Sequence, residues 1–371
     1  MRLHHTFLML HLIAALSASA LAQGSVYGGT PPAAQGAASP PGQVVAEIDP
    51  RIWCIHQGRN GDYWFGSNGN GAYRYDGQQV THYTRADGLS GHQVRDIEED
   101  SEGNVFISTN SGVTKFDGKQ FTALDLVESP PTEEGWVLDP DDVWLVFDPG
   151  HDGICRYDGE RLYHLKLSES PAEAVHRARY PDVDLSPSGV YSIYKDRRGH
   201  LWFGTANVGL CRYDGEALSW MYEEHLTTTP DGGAFGIRSI YEDRSGDFWV
   251  TNTRHRFQIS SKIEIENGHS LIKYEKKEGL PDARSDTDKN FTYYPSMTED
   301  DAGALWLACG YDGVWKYDGE DVTRYAIDGG AYAITIYCDQ DGKLWIGTVE
   351  HGIYTFEGAS FEPFKPHESR K

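Results

Sequence analysis

Val94-Arg95-Asp96-Ile97-Glu98-Glu99-Asp100, then Gly103-Asn104-Val105-Phe106-Ile107, then Gly112-Val113-Thr114-Lys115-Phe116-Asp117-Gly118: this stretch decides the fold, because it recurs. The same frame returns at residues 190–196, at Gly199-His200-Leu201-Trp202-Phe203-Gly204-Thr205, and at Gly209-Leu210-Cys211-Arg212-Tyr213-Asp214-Gly215. Its central aromatic reappears as Trp64, Phe106, Trp144, Trp202, Trp249, Trp306 and Trp345, at intervals of 42, 38, 58, 47, 57 and 39 residues. Seven copies fill residues 51–364. Each copy reads as four strands. A short apolar strand comes first, and a polar turn with Asp and Gly follows it. The next run, such as Leu344-Trp345-Ile346-Gly347, is apolar throughout and fits a strand buried on both faces. A third strand alternates, as in Gly313-Val314-Trp315-Lys316-Tyr317, and runs into Asp-Gly, which predicts a two-residue type I′ hairpin. The fourth strand is short and aromatic. Four strands in each unit of 40–50 residues predict an all-β fold: a seven-bladed β-propeller with four antiparallel strands per blade.

The consensus V-x-x-I-x-x-D-x-x-G-x-L-W-[FI]-G-T…G-[LV]-x-[RK]-Y-D-G resembles the two-component regulator propeller repeat. In that family such repeats build the periplasmic sensor region of hybrid histidine kinases. The resemblance covers residues 51–364. It is sharpest in copies 1, 2, 4, 6 and 7. Copy 3 lacks the Asp…Gly turn before Trp144, and copy 5 carries an insertion at residues 255–274 in place of the Asp-Gly hairpin. The resemblance implies a sensor-type binding module, and no kinase or receiver motif accompanies it.

Outside the repeats, residues 1–22 read as a signal peptide: Arg2, an apolar run from Phe7 to Leu16, and Ala20-Leu21-Ala22 before Gln23. Residues 23–50 read as a Gly/Pro/Ala-rich flexible leader and residues 365–371 as a tail. The implied location is periplasmic or secreted. No run approaches the ~20 apolar residues of a spanning helix, so no membrane span is expected. The chain of 371 residues carries 56 acidic and 33 basic side chains and a net charge of −23, which argues against a nucleic-acid partner. Five widely spaced cysteines do not form a disulfide framework. Cys54 and Cys338 lie on first strands that become neighbours when the ring closes, so one bond between them is conceivable.

Function in a propeller is expected on the long, varied loops of one face, here residues 84–93, 126–136, 166–189, 225–236 and 275–294. Candidate ligand-binding residues between second and third strands are Asn68, His151, Asn207, His255, Tyr311, Glu350 and His351, with His92 in a connecting loop. Trp53, Arg95, Tyr191 and Arg238 enter the innermost strands. Amides, guanidinium groups and aromatic faces suit a small molecule or oligosaccharide, through hydrogen bonds to hydroxyls and an apolar ring to stack on. A partner protein is the other expected ligand. No cofactor or metal site is expected, since no histidine pair has ligand spacing. The alternative function is a lyase- or hydrolase-type propeller enzyme, similar in shape to streptogramin lyases, with a histidine-based site among His92, His151, His255 and His351.

Overall fold

The structure, a computed structural model, describes residues 41–128, 136, 138–147, 153–179, 189–223, 226–227, 236–281 and 291–366. The expected signal peptide and most of the leader and tail lie outside the described residues, as do parts of several loops. The regular structure among the described residues is nearly all strand, arranged mostly in four-stranded sheets.

Repeats 1, 2, 4, 6 and 7 each form an antiparallel meander in chain order, with the first strand innermost. In repeat 4 these strands are Val190–Lys195, Leu201–Thr205, Leu210–Tyr213 and Leu218–Met221. Repeat 1 gains a fifth strand, Gln43–Val45, which pairs antiparallel with its outermost strand. Repeat 3 departs from expectation. Its described strands are Val143–Leu145, Ile154–Tyr157 and Leu162–Leu165, and the short Leu126–Glu128 adds on the outside in parallel. In repeat 5 the insertion is itself the third and fourth strands, Arg256–Glu266 and His269–Lys277. Asn267 and Gly268 turn it with φ of 51° and 84°, the type I′ signature, between paired Glu266 and His269. The last strand of repeat 4 then pairs in parallel with His269–Lys277 through Trp220 and Leu271, so repeats 4 and 5 share one eight-stranded sheet.

The Asp-Gly hairpins differ from the expected turn. Tyr75 pairs with Val80, and the Asp76 N–H donates to Gln79 O at 3.3 Å, which leaves Gly77 and Gln78 as the loop. Only the glycine has positive φ, at 89°, whereas type I′ needs it at both positions. The aspartate instead caps the turn. Its Oδ1 accepts the N–H groups of Gln78 and Gln79 at 2.9 and 2.8 Å, and Asp117, Asp158, Asp214 and Asp318 do the same.

A second aspartate does more. In repeat 7, Asp339 Oδ1 accepts the N–H groups of Asp341 and Lys343, which closes the turn after the first strand. Its Oδ2 accepts the indole N–H of Trp345 at 2.7 Å. The same pairing joins Asp196 to Trp202, Asp243 to Trp249 and Asp300 to Trp306, at 2.9, 2.8 and 2.8 Å. A buried indole N–H needs an acceptor, and here the turn supplies it. Repeat 2 has Phe106 instead of tryptophan, and Asn104 donates to Asp100 in its place. The basic residue of the third strand lies over the same ring: Arg74 on Trp64, Arg156 on Trp144, Arg212 on Trp202 and Lys316 on Trp306, within 5.0–6.0 Å of the ring centroid.

Apolar clusters fill the gaps between successive sheets, and one joins the last repeat to the first through Ile353, Trp345, Ile52, Phe65 and Tyr73. Polar bonds close the same seam. Tyr63 donates to Asp339 at 2.6 Å, and the N–H groups of Gln57 and Gln340 donate to Tyr337 Oη and Gln57 Oε1 at 3.2 and 2.8 Å. The ring therefore closes without a covalent link. Cys54 packs toward repeat 2 and Cys338 toward repeat 6, on opposite sides, and both are free thiols. Gly347 explains the glycine after the core aromatic. A Cβ there would stand 2.6 Å from Ile52 O of the first repeat, and one at Gly204 would stand 2.4 Å from Ile237 O.

Three outcomes follow. Asp339→Ala orphans the Trp345 indole, the Tyr63 hydroxyl and two turn N–H groups, and should cost about 3–5 kcal/mol in urea unfolding. A loss under about 1 kcal/mol would contradict this role. Mass mapping under non-reducing conditions should recover Cys54 and Cys338 as separate thiols. Glu98, on the inner strand Val94–Glu99, has a pKa well above the ordinary carboxylate value because burial disfavours its charge, and Asp96 adds repulsion. A raised pKa means the protonated form stabilises the fold; that contribution is complete at low pH and is lost as pH rises through the folded-state value. Glu98→Gln should therefore melt above wild type at pH 8 and level with it near pH 4. A gap that does not change with pH would exclude this account.

Candidate functional site at the mouth of the channel

The innermost strands carry a repeated irregularity where they begin. Ile52 pairs with Ser67 and Cys54 with Gly66, which leaves Trp53 as an extra residue between them. The register slips in the same way at Arg95, Tyr191 and Ile334. A bulge re-aims the extra side chain out of the sheet, so each of these repeats presents one side chain at its inner, loop-facing end. Arg238 occupies the corresponding position of repeat 5 by alignment with the frame, between Ile237 and Ser239.

These side chains meet one another. The Arg95 guanidinium lies 6.0 Å from the Trp53 ring centroid, and its Nη2 donates to Gln93 Oε1 at 3.3 Å. The Arg238 guanidinium lies 4.6 Å from the Tyr191 centroid. Burial opposes its charge, but hydroxyls of Tyr293, Tyr191 and Tyr332 surround it, and its pKa stands above the ordinary value. Tyr293, Tyr332 and Ile334 form a buried cluster with Trp53 and Val349 against it. Tyr311, exposed, meets Tyr332 edge-on at 4.9 Å and 90°. Its pKa is raised by burial and then by the nearby Glu350 carboxylate. The result is an aromatic arc that runs from repeat 4 through repeat 7 to repeat 1, with guanidinium groups set into it and one carboxylate at its rim.

The candidates Trp53 and Arg95, Tyr191 and Arg238, and Tyr311 and Glu350 are thus brought together pairwise. Other candidates serve elsewhere. Asn68 bridges to Gln93 through its backbone and donates its N–H to Arg51 O. Asn207 is buried, and its carbonyl accepts the Thr227 hydroxyl at 3.1 Å. His255 is buried at the base of the repeat 5 hairpin, where its N–H donates to Thr253 Oγ1. His92 and His351 are exposed on repeats 2 and 7, and His351 spends its N–H on Thr348 Oγ1. His151 lies outside the described residues. Among the described residues, no three His, Cys, Asp or Glu side chains group as metal ligands. Tyr293, Tyr332 and Ile334 were not among the candidates. Ile334 was findable, since it aligns with Arg95, but an isoleucine in an apolar strand gives no polar signal. The two tyrosines precede their strands where the frame holds Gln93, so the repeat itself does not mark them.

The comparisons with known proteins can be set against this geometry. The model of the two-component regulator propeller family matches residues 184–207 and 328–350. No curated protein matches the chain. Among solved structures, it is similar to the extracellular domain of BT4673 from B. thetaiotaomicron, described as a one-component system. The TM-score is 0.56 and the identity 17%, over 86% of this chain and 40% of that one. It is also similar to inactive virginiamycin B lyase from Staphylococcus aureus with quinupristin, with TM-score 0.58 and 15% identity over 84% of this chain and 97% of the other. PorZ, a surface component of the type-IX secretion system of Porphyromonas gingivalis, matches at TM-score 0.55 and 15% identity, over 84% and 47%. The chain spans about 40% of the length of the extracellular domains it matches first. At these identities the likeness shows the fold. No helix among the described residues is long and apolar enough to cross a membrane. The fold is a β-propeller, and two of its stretches, residues 184–207 and 328–350, match the two-component regulator propeller repeat.

Proposed function

We propose that this chain is an exported, ligand-binding propeller of seven blades over residues 51–364, of the sensor type, that takes a saccharide at the channel mouth. One observation carries the reading: bulges in the inner strands of repeats 1, 2 and 4 set off Trp53, Arg95 and Tyr191 at the loop-facing end, with Trp53 against the Tyr293–Tyr332 cluster. Aromatic faces cover the apolar side of a pyranose ring, while tyrosine hydroxyls and guanidinium N–H groups reach its hydroxyls. Rigid sheets hold these groups, so little ordering opposes binding. The likeness to extracellular sensor domains and the sequence of residues 1–22 support an extracytoplasmic place for it. The lyase- or hydrolase-type alternative is less favoured, since its histidines are spread over separate repeats and the likeness to streptogramin lyases is distant.

The test is calorimetric titration with a panel of oligosaccharides, on wild type and Trp53→Ala. Wild type should bind at least one sugar, and Trp53→Ala should weaken it about tenfold or more, with melting temperature little changed. Tight binding to a partner protein with no response to any sugar would turn the reading toward protein recognition. Equal affinity in Trp53→Ala would move the site off the channel mouth.

A further inference from the structure

Arg238 differs in what surrounds it from four arginines elsewhere in the ring. Arg74 pairs with Asp62, Arg156 with Asp142, Arg256 with Asp247 and Arg254 with Glu278. The side chains that interact with Arg238 among the described residues are tyrosines. It lies on the face of Tyr191, hydrogen bonds with Tyr293 and approaches Tyr332, and no carboxylate pairs with it among the described residues. Its Nε is buried with no hydrogen-bond partner among them. The chain has 56 acidic side chains, yet among the described residues none pairs with this partly buried guanidinium. A half-buried charge without a counter-ion is costly to hold, and it is held at the centre of the aromatic arc.

Arginine is suited to such a position because its planar fork matches a carboxylate with two parallel hydrogen bonds. The tyrosine rings around it exclude water and strengthen a charge pair formed there. The net charge of −23 would repel an anion at long range, so recognition of one must come from a short-range, desolvated cation.

Resting on the saccharide reading above, we infer that the ligand is an acidic sugar, a uronate whose carboxylate pairs with Arg238 while its ring lies against the aromatic arc. The carboxylate supplies the counter-ion that the fold withholds, and it orients the sugar relative to Trp53 and Tyr332.

The experiment titrates the protein with uronate oligosaccharides from polygalacturonate, alginate and hyaluronan digests, each beside its carboxyl-reduced neutral counterpart. Wild type, Arg238→Gln, Arg238→Lys and Trp53→Ala are compared, with melting temperature and near-ultraviolet circular dichroism as folding controls. Wild type should bind at least one uronate about tenfold or more tighter than its reduced form. Arg238→Gln should lose about 10- to 100-fold for the uronate and keep its affinity for the reduced sugar, with Arg238→Lys in between. If reduced and acidic forms bind wild type equally, or Arg238→Gln binds the uronate as wild type does, the inference falls. Should Trp53→Ala still lose the neutral sugar in that case, the saccharide reading stands alone. If no sugar of either kind binds wild type, both fall together.

Discussion

The bond between the aspartate that ends a first strand and the indole N–H six residues later is the contact on which the rest of this ring depends. One carboxylate does two jobs. Its Oδ1 closes the turn by accepting two backbone N–H groups, and its Oδ2 fixes the tryptophan that fills the gap between sheets. Turn geometry and core packing are therefore set by the same side chain. In repeats 4 and 6 the third-strand cation over the ring completes a stack of carboxylate, indole and cation, and in repeat 7 Lys343 of the turn takes the cation's place. Where the tryptophan is replaced, as by Phe106, the aspartate keeps its turn and finds an asparagine donor instead.

Fixing the second strand in this way fixes the first against its neighbour. The glycine after the core aromatic lets the next repeat's inner strand pass close to it, at Ile237 O beside Gly204 and at Ile52 O beside Gly347. Serine takes the same place in repeat 2, and its hydroxyl donates to Val146 O across the seam at 2.6 Å. Inner strands held this closely place an extra residue at their loop-facing end in repeats 1, 2, 4 and 7. The same register slip sets off Trp53, Arg95 and Tyr191 as the extra residue of their inner strands. A rigid frame with variable side chains at those positions is a means of changing ligand without changing fold.

Much of this was readable from the repeat. The frame around Phe106 and Trp202 predicted strand order, the buried second strand and the cations of the third, because each is a local pattern of period two punctuated by glycine. The hairpin was misread by one residue: Asp76 looks like the first loop residue of an Asp-Gly turn, yet it stands before the loop and caps it. The Asn267-Gly268 turn was hidden because the strands it joins are longer than any other copy's. Site residues were legible where they shared the bulge position or, as Tyr311 and Glu350, lay between second and third strands. His255 and Asn207 were candidates by loop position, and tertiary packing buries both.

By itself, the sequence determined the repeat, the four-strand unit and the ring, since short-range hydrophobic alternation and turn chemistry are written locally. It also determined that Asp and Trp recur six residues apart, though not that they are bonded. The tertiary structure alone decided which side chains meet across seams: Tyr63 with Asp339, Arg238 with Tyr191 and Tyr293, Tyr332 with Tyr311. Those pairs are tens to hundreds of residues apart in sequence, and only the closure of sheets onto one another brings them within reach. It decided too that, among the described residues, Arg238 meets tyrosines and no acid, because whether a charge is neutralised depends on neighbours in space.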